Sequence, residues 1–318
     1  MREHKKELNT TTTGVMYKVT PKTSGKSGTM KLAKTKYQNW SELLTAVWLH
    51  GMSRGNMDQK LVKFRAFRAG EAMGESLTRE NEARYIRPSA FLSCARQTWF
   101  MRQGYKPEPM PENIGLTFAM GHALHELSYA AVESALPSCF KVEFEKKVTL
   151  PKWWRDAVPE SAEHGHIDCL ITVEDEEEAA EYIELGDDKT ILVDFKTMGG
   201  FTSRGHAKKD FAQSADGFGY LSQLAIYSNA VRSDVVLLAG INRDQLTAPL
   251  SPRKIDLALL DQERERILNA LTCEDDPCKE FLERWGKDAH FYCGIGGRKG
   301  YCPFADRCEA TYCADQPS

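Results

Sequence analysis

The chain has 318 residues and a formal net charge of −3, with 42% apolar and 27% charged residues. That composition excludes a disordered or fibrous chain and allows one large domain or two small ones. No run approaches the roughly 18 apolar residues of a membrane span, and the start MREHKKELNT has no secretory apolar segment, so a cytoplasmic protein without membrane contact is expected.

Charge is unevenly spread. Residues 1–80 hold 15 Lys and Arg against 7 Asp and Glu, and the remainder holds 27 against 38. A basic arm on an acidic body suits a polyanion, with carboxylates left over for metals; a merely solvated arm gives the same numbers. Residues 1–38, rich in Thr, Ser, Gly and Lys without a hydrophobic period, read as a flexible basic arm. The segment 39–83 reads as a helical extension. Trp40, Leu43, Leu44, Val47 and Trp48 fall at helical spacing behind an Asn39/Glu42 capping box. A second helix is expected at about 57–69, with Leu61, Phe64 and Phe67 beside Lys60, Lys63, Arg65 and Arg68. It is either a nucleic-acid face or, more ordinarily, an amphipathic helix.

The region 84–318 reads as one domain. Pro88 and Ser89 open a short helix through Trp99 and Phe100, and a longer one runs from about Gly115 to Leu136, ended by Pro137. Strands are expected at 139–150, 165–173 and 190–197, then a helix at 217–232 and a strand at Val235–Ile241. The 257–288 region reads as helical with a break near Pro277. This mixture favours an α/β or α+β sheet domain. The nine acidic residues of 174–188 lack the Asp/Asn ladder and central Gly of a calcium loop, and read as a solvated hairpin tip.

The segment Leu192-Val193-Asp194-Phe195-Lys196-Thr197 carries the chemistry. On a strand Asp194 and Lys196 share a side while Phe195 faces the other layer. Two ionised groups on an apolar strand are costly unless they serve each other or a ligand. Upstream, Asp168 in His164-Gly-His-Ile-Asp168 can meet Asp194 across a hairpin, and a cation relieves the repulsion between two converging carboxylates. His125, in Gly121-x-x-x-His125 on the long helix, is a candidate third ligand. Gln223 and Tyr227, four apart, share a helical face suited to a phosphate or to the lysine.

These pieces, in this order, resemble the RecB-like branch of the PD-(D/E)xK nuclease superfamily, especially the iron–sulfur exonucleases associated with CRISPR adaptation. The stretch Ser89-Ala-Phe-Leu-Ser-Cys94-Ala-Arg96 ahead of Trp99 and Phe100 is similar to that branch's N-terminal cysteine motif. The likeness covers about residues 84–310 and implies an α/β, restriction-endonuclease-like core, a mixed central sheet flanked by helices, that hydrolyses DNA with Mg²⁺ or Mn²⁺. It implies that His125, Asp168, Asp194 and the Phe195 carbonyl ligate that metal. Lys196 would position the water and stabilise developing charge, with Gln223 and Tyr227 orienting Lys196 and the scissile phosphate. It further implies DNA as partner, as single strands or duplex ends, alongside a helicase, recombination or CRISPR-adaptation protein. A non-catalytic nucleic-acid-binding module on the same fold is the rival, although such modules typically lose the Asp or Lys that this chain retains. The 26-residue step from Asp168 to Asp194 is longer than usual, and the acidic tip accounts for it.

Nine cysteines in a cytoplasmic chain point to metal or catalytic use rather than disulfides. Cys293, Cys302, Cys308 and Cys313 crowd a Gly-rich tail, a pattern that suits a metal: an iron–sulfur cluster or zinc. The resemblance implies a [4Fe–4S] clasp held by Cys94, Cys293, Cys302 and Cys308, with Cys313 as substitute for Cys293. Cys139, Cys169, Cys273 and Cys278 read as incidental thiols.

Overall fold

The computed structural model describes residues 32, 34–53, 56–78, 88, 95–108, 114–158, 162–199, 206, 219–244, 250–277, 302 and 304–308. They build a mixed five-stranded sheet flanked by helices on both faces. The strands are β1 (Phe140–Thr149), β2 (His164–Val173), β3 (Thr190–Met198), β4 (Val235–Asn242) and β5 (Leu250–Ile255), paired in that order. Only β3 and β4 run parallel; the other three pairings are antiparallel.

The helices are α1 (Trp40–Met52), α2 (Gln59–Thr78), α3 (Ala95–Arg102), α4 (Ile114–Ala135), α5 (Lys152–Arg155), α6 (Glu176–Ala179), α7 (Tyr220–Val231) and α8 (Leu257–Thr272). One core lies between the sheet and α1 with α4, joining Trp40, Leu43, Val47 and Val132 to Cys169, Ile171, Val193 and Phe195. The other lies beneath α7 and α8, joining Leu221, Leu224, Ile226 and Ile267 to Ile167, Leu170, Leu192 and Leu238. The parallel pair sits centrally, and every residue of β4 is buried, as a strand covered on both faces requires.

Local chemistry sets the boundaries. Asn39 caps α1 by accepting from the Glu42 N–H at 3.0 Å, and the Glu42 carboxylate accepts from the Gln38 N–H at 3.1 Å, one residue before the Asn39 N–H that the expected capping box uses. Asp58 caps α2 through the Lys60 and Leu61 N–H groups. Gly51 lets α1 cross α4 closely, since a Cβ there would stand 2.0 Å from the Ala131 carbonyl oxygen.

Several expectations need correction. The helix expected at 57–69 runs to Thr78, and Phe64 and Phe67 are 54% and 64% exposed, so they are not its buried stripe. The arm read as 1–38 already packs at its end: Leu32 and Tyr37 join the core, and the Tyr37 N–H donates to the Tyr182 carbonyl at 2.6 Å. The acidic tip is therefore not simply solvated. It contains α6, buries Tyr182 and Ile183, and pairs Ile183 with Tyr37, while Lys34 meets Glu181. Helix α8 stops at Thr272, ahead of the expected break, and β5 escaped sequence reading because Pro252 interrupts it; proline is tolerated there on an edge strand. Only Pro88 of the expected helix opening is described, and residues 89–94 lie outside the described set. Among the described residues no helix is long and apolar enough to cross a membrane.

Candidate metal centre

The site is one transverse row of the sheet. Cys169 pairs with Val193 at the end of the β2–β3 ladder, so Asp168 and Asp194 are the next opposed residues. Phe144 pairs with Cys169 and Lys146 with Ile167, so Glu145 stands opposite Asp168. Three carboxylates from three adjacent strands thus share one line.

The backbone is irregular along that line. Glu145 has φ of 48°, the left-handed region that a non-glycine residue rarely occupies. Phe144 packs with the α1/α4 core, whereas Val148 belongs to the α7/α8 core. Beside it, Ile167 and Cys169 are two residues apart yet face opposite cores. Both strands therefore reverse their side-chain alternation at the Glu145/Asp168 position, and the register is unchanged because both turn together.

Asp194 and Lys196 leave β3 on the same side, and Phe195 enters the α4 core, as alternation dictates. Asp194 is 2% exposed. Its Oδ1 accepts from Lys196 Nζ at 2.8 Å; its Oδ2 lies 2.8 Å from the same nitrogen but makes no hydrogen bond. Asp168 Oδ2 accepts the Phe195 N–H at 2.8 Å, so a side chain replaces the ladder bond where β2 and β3 part. His125, from α4, brings Nδ1 to 3.9 Å from Asp168 Oδ2. The donor atoms of His125, Glu145 and Asp168 all lie within 4.8 Å of one another. Glu145 was not anticipated; the only signal was a glutamate in the strand opposite Asp168. Asp194 is outside that triad and turns to Lys196.

Electrostatics follow from burial. Burial lifts the Asp194 carboxyl to about 6, opposed by the Lys196 charge and reinforced by Asp168. It also raises Asp168, against the Lys196 charge and the Phe195 N–H. Glu145 is an exposed residue, yet partial desolvation of its carboxyl and the neighbouring Asp168 charge raise it to about 7. His125 falls to about 3, through burial and then the Lys196 charge, leaving a neutral imidazole with a lone pair to offer. Burial works against the Lys196 ammonium, but Asp194 and Asp168 outweigh it and hold its pKa above the ordinary value.

Helix α7 closes the site from the other side. Tyr227 is buried, and its ring lies against Gly165, where a Cβ would stand 2.7 Å from Cε1 and 3.0 Å from the hydroxyl oxygen. Burial, then the charges of Asp168 and Asp194, raises its pKa and keeps it a phenol. Gln223 is buried one turn earlier. Tyr220, another turn back, places its ring centroid 5.7 Å from Lys196 Nζ. Sequence reading missed it, although 220, 223 and 227 lie on one helical stripe.

The thiols gather elsewhere. Cys302 and Cys308 pack with Phe100 and Phe304 against α3. Gln97 Nε2 donates to Cys302 Sγ at 2.9 Å, and Arg96 Nη1 donates to Cys308 Sγ at 3.1 Å. Arg96 is buried and also holds Asp276 at 2.7–3.1 Å. Cys94, Cys278, Cys293 and Cys313 lie outside the described residues. Cys139 and Cys169 are buried and Cys273 is half-buried.

No family model matches the chain, and no curated protein does. Among solved structures, the crystal structure of SSO0001 is similar over 79% of this chain and 97% of its own, at 16% identity and a TM-score of 0.35. A likeness that loose carries no argument.

Proposed function

We propose that this chain is a divalent-metal-dependent deoxyribonuclease with a RecB-like PD-(D/E)xK core, acting as an exonuclease on single strands or duplex ends. The observation that carries the reading is the opposition of Asp168 and Asp194 on neighbouring strands, with Lys196 bound to Asp194 and His125 beside Asp168. A neutral imidazole, the half-buried Asp168 carboxylate and the buried Asp194 carboxylate are fitting donors for Mg²⁺ or Mn²⁺. When bound, such a cation would supply Lewis acidity toward water and the phosphoryl oxygens.

The chain's own residues do the rest. Lys196, kept protonated by Asp194, acts as a fixed positive charge toward the phosphate and the entering water rather than as a base. Tyr227 remains a neutral hydroxyl donor for a phosphate oxygen or for Lys196. Tyr220 covers Lys196 and limits its wandering.

The iron–sulfur clasp belongs to the same reading. Cys302 and Cys308 each receive an N–H donor from α3, whose first residue directly follows Cys94. Donors of this kind suit thiolates that hold a [4Fe–4S] cluster, with Cys94 and Cys293 as the remaining ligands; zinc is the alternative metal. The group would join segments some 200 residues apart and stabilise the domain.

The test is degradation of 5′- and 3′-labelled single- and double-stranded DNA in Mg²⁺ or Mn²⁺. Metal-dependent shortening from one end is expected. DNA binding without hydrolysis in either metal would favour a non-catalytic binding module.

A further inference from the structure

The acidic residues around the site divide by what balances them. Glu126 and Glu133 take the two arms of Arg65 at 3.2 and 2.6 Å, Glu143 takes Lys146 at 2.7 Å, and Asp194 takes Lys196. Among the described residues Glu145 has no ion-pair partner, and Asp168 has only the distant His125 ring. Two opposed carboxylates, neither in a direct ion pair with a lysine or arginine among the described residues, lie beside the His125 imidazole.

Glu145 is also held deliberately. Tyr129 donates its hydroxyl to Glu145 Oε1 at 2.8 Å. The Tyr129 ring stacks on Phe144 at 4.6 Å, and the Arg65 guanidinium lies 5.6 Å from the Tyr129 centroid and 4.9 Å from that of Phe144. Helix α2 therefore clamps the residue that aims Glu145, and the left-handed backbone at 145 is the conformational cost of aiming it there.

We infer that Glu145 is a ligand of the catalytic cation, completing with His125 and Asp168 a donor set of one nitrogen and two carboxylates from three different elements, and that Tyr129 is its positioning residue. This rests on the nuclease reading's placement of a divalent cation at Asp168. It extends that reading to strand β1 and, through Arg65, to the helical extension. The imidazole favours Mn²⁺ over Mg²⁺ and Ca²⁺, which prefer all-oxygen sites.

Calorimetric titration of the full chain with Mn²⁺, with unbound Mn²⁺ counted by electron paramagnetic resonance, tests this without reference to activity. Glu145→Gln keeps size and the Tyr129 hydrogen bond but removes the charge, and should weaken Mn²⁺ by tenfold or more. Tyr129→Phe should weaken it by about tenfold, the lower end for loss of an outer-sphere partner. Glu143→Gln, on the same strand but paired with lysine, should bind as wild type. Glu145→Gly relieves the left-handed backbone, so it should melt no lower than wild type in EDTA while losing affinity, which separates ligation from folding. If Asp168→Asn abolishes binding and neither Glu145 variant changes it, Glu145 is not a ligand and the cation site stands without it. If Asp168→Asn also binds normally, the cation reading falls with it.

Discussion

Glu145 and Asp168 face each other on β1 and β2 at the one position where both strands reverse which layer their side chains enter. A matched reversal keeps the register while turning two carboxylates out of the alternating pattern and toward His125. On the other side of Asp168, Asp194 is the next residue in the same row, already neutralised by Lys196. The row thus contains one carboxylate paired directly with a lysine and two without a direct lysine or arginine partner, an arrangement suited to a cation that approaches from the α4 side.

Lys196 and Asp194 should respond differently to removal. Lys196→Ala strands a buried carboxylate. Because the lysine is partly exposed, the expected loss is on the order of 2 kcal/mol in urea unfolding, below the roughly 3–5 kcal/mol of a fully buried broken pair. Asp194→Asn removes the charge instead and should cost less. Both should abolish hydrolysis while DNA binding persists. More than a few per cent of wild-type turnover in Asp194→Asn with Mn²⁺ goes against the assignment.

The pH dependence has a definite sign. Folded-state carboxyls near 6 at Asp194 and near 7 at Glu145 lie above the roughly 4 of an unfolded chain. Over that interval the folded protein binds more protons than the unfolded one, so their contribution falls as pH rises from about 4 through about 7. A cation requires the deprotonated oxygens. The rise in Tm produced by Mn²⁺ should therefore be larger at about pH 8 than at about pH 5.5, measured against EDTA at each pH. An equal shift at both values contradicts cation binding at these groups.

Much of the site's frame was legible because it depends on local periodicity. Alternation placed Asp194 and Lys196 together, and the hairpin reading brought Asp168 opposite Asp194. The Asn39/Glu42 pair announced the start of α1 to the residue. Glu145 was not legible, because its role depends on a left-handed backbone residue and a phase reversal shared with β2, neither of which a glutamate in a strand advertises. Phe64 and Phe67 misled for a related reason: α2 rests on α4 through Arg65, and its aromatic stripe is not the face it buries.

The two motif glycines should behave unequally. At Gly165 a Cβ would meet the Tyr227 ring at 2.7 Å, so Gly165→Ala must displace that tyrosine. Hydrolysis should drop at least tenfold with Mn²⁺ affinity nearly unchanged. At Gly121 the nearest atom to a Cβ is Thr197 Oγ1 at 3.9 Å, an ordinary van der Waals separation, so Gly121→Ala should be tolerated. Equal effects in a nuclease assay would mean that Tyr227 plays no part in the reaction.

The arm should separate into two roles. Deleting residues 1–31 removes the basic residues that precede the first described one and should weaken DNA affinity and flatten its salt dependence. The log–log slope should fall by roughly 0.9 for each duplex phosphate that the shortened protein no longer neutralises. Deleting 1–38 also removes Leu32 and the Tyr37 bridge to the acidic tip, and should lower Tm as well. An unchanged slope in the shorter deletion shows that the arm does not touch DNA.

The thiol site gives the last prediction. Purified anaerobically, the protein should be brown, with broad absorbance near roughly 400 nm and about four irons per chain. Cys302→Ala and Cys308→Ala should each lose colour and lower Tm, because the clasp closes a loop of some 200 residues whose opening restores chain entropy. Arg96→Leu removes the donor to Cys308 and also leaves Asp276 without its bidentate partner, so its loss of stability alone does not report on the sulfur. Gln97→Leu is the cleaner probe, since the Gln97 side-chain amide donates to Cys302 Sγ. With one N–H donor to sulfur removed, the cluster should persist but reduce at a more negative potential, read by redox titration with paramagnetic resonance detection. Hydrolysis should follow only the loss of fold, because the cation site is built from oxygen and imidazole. Colourless protein with one zinc per chain would overturn the cluster and leave the nuclease reading in place.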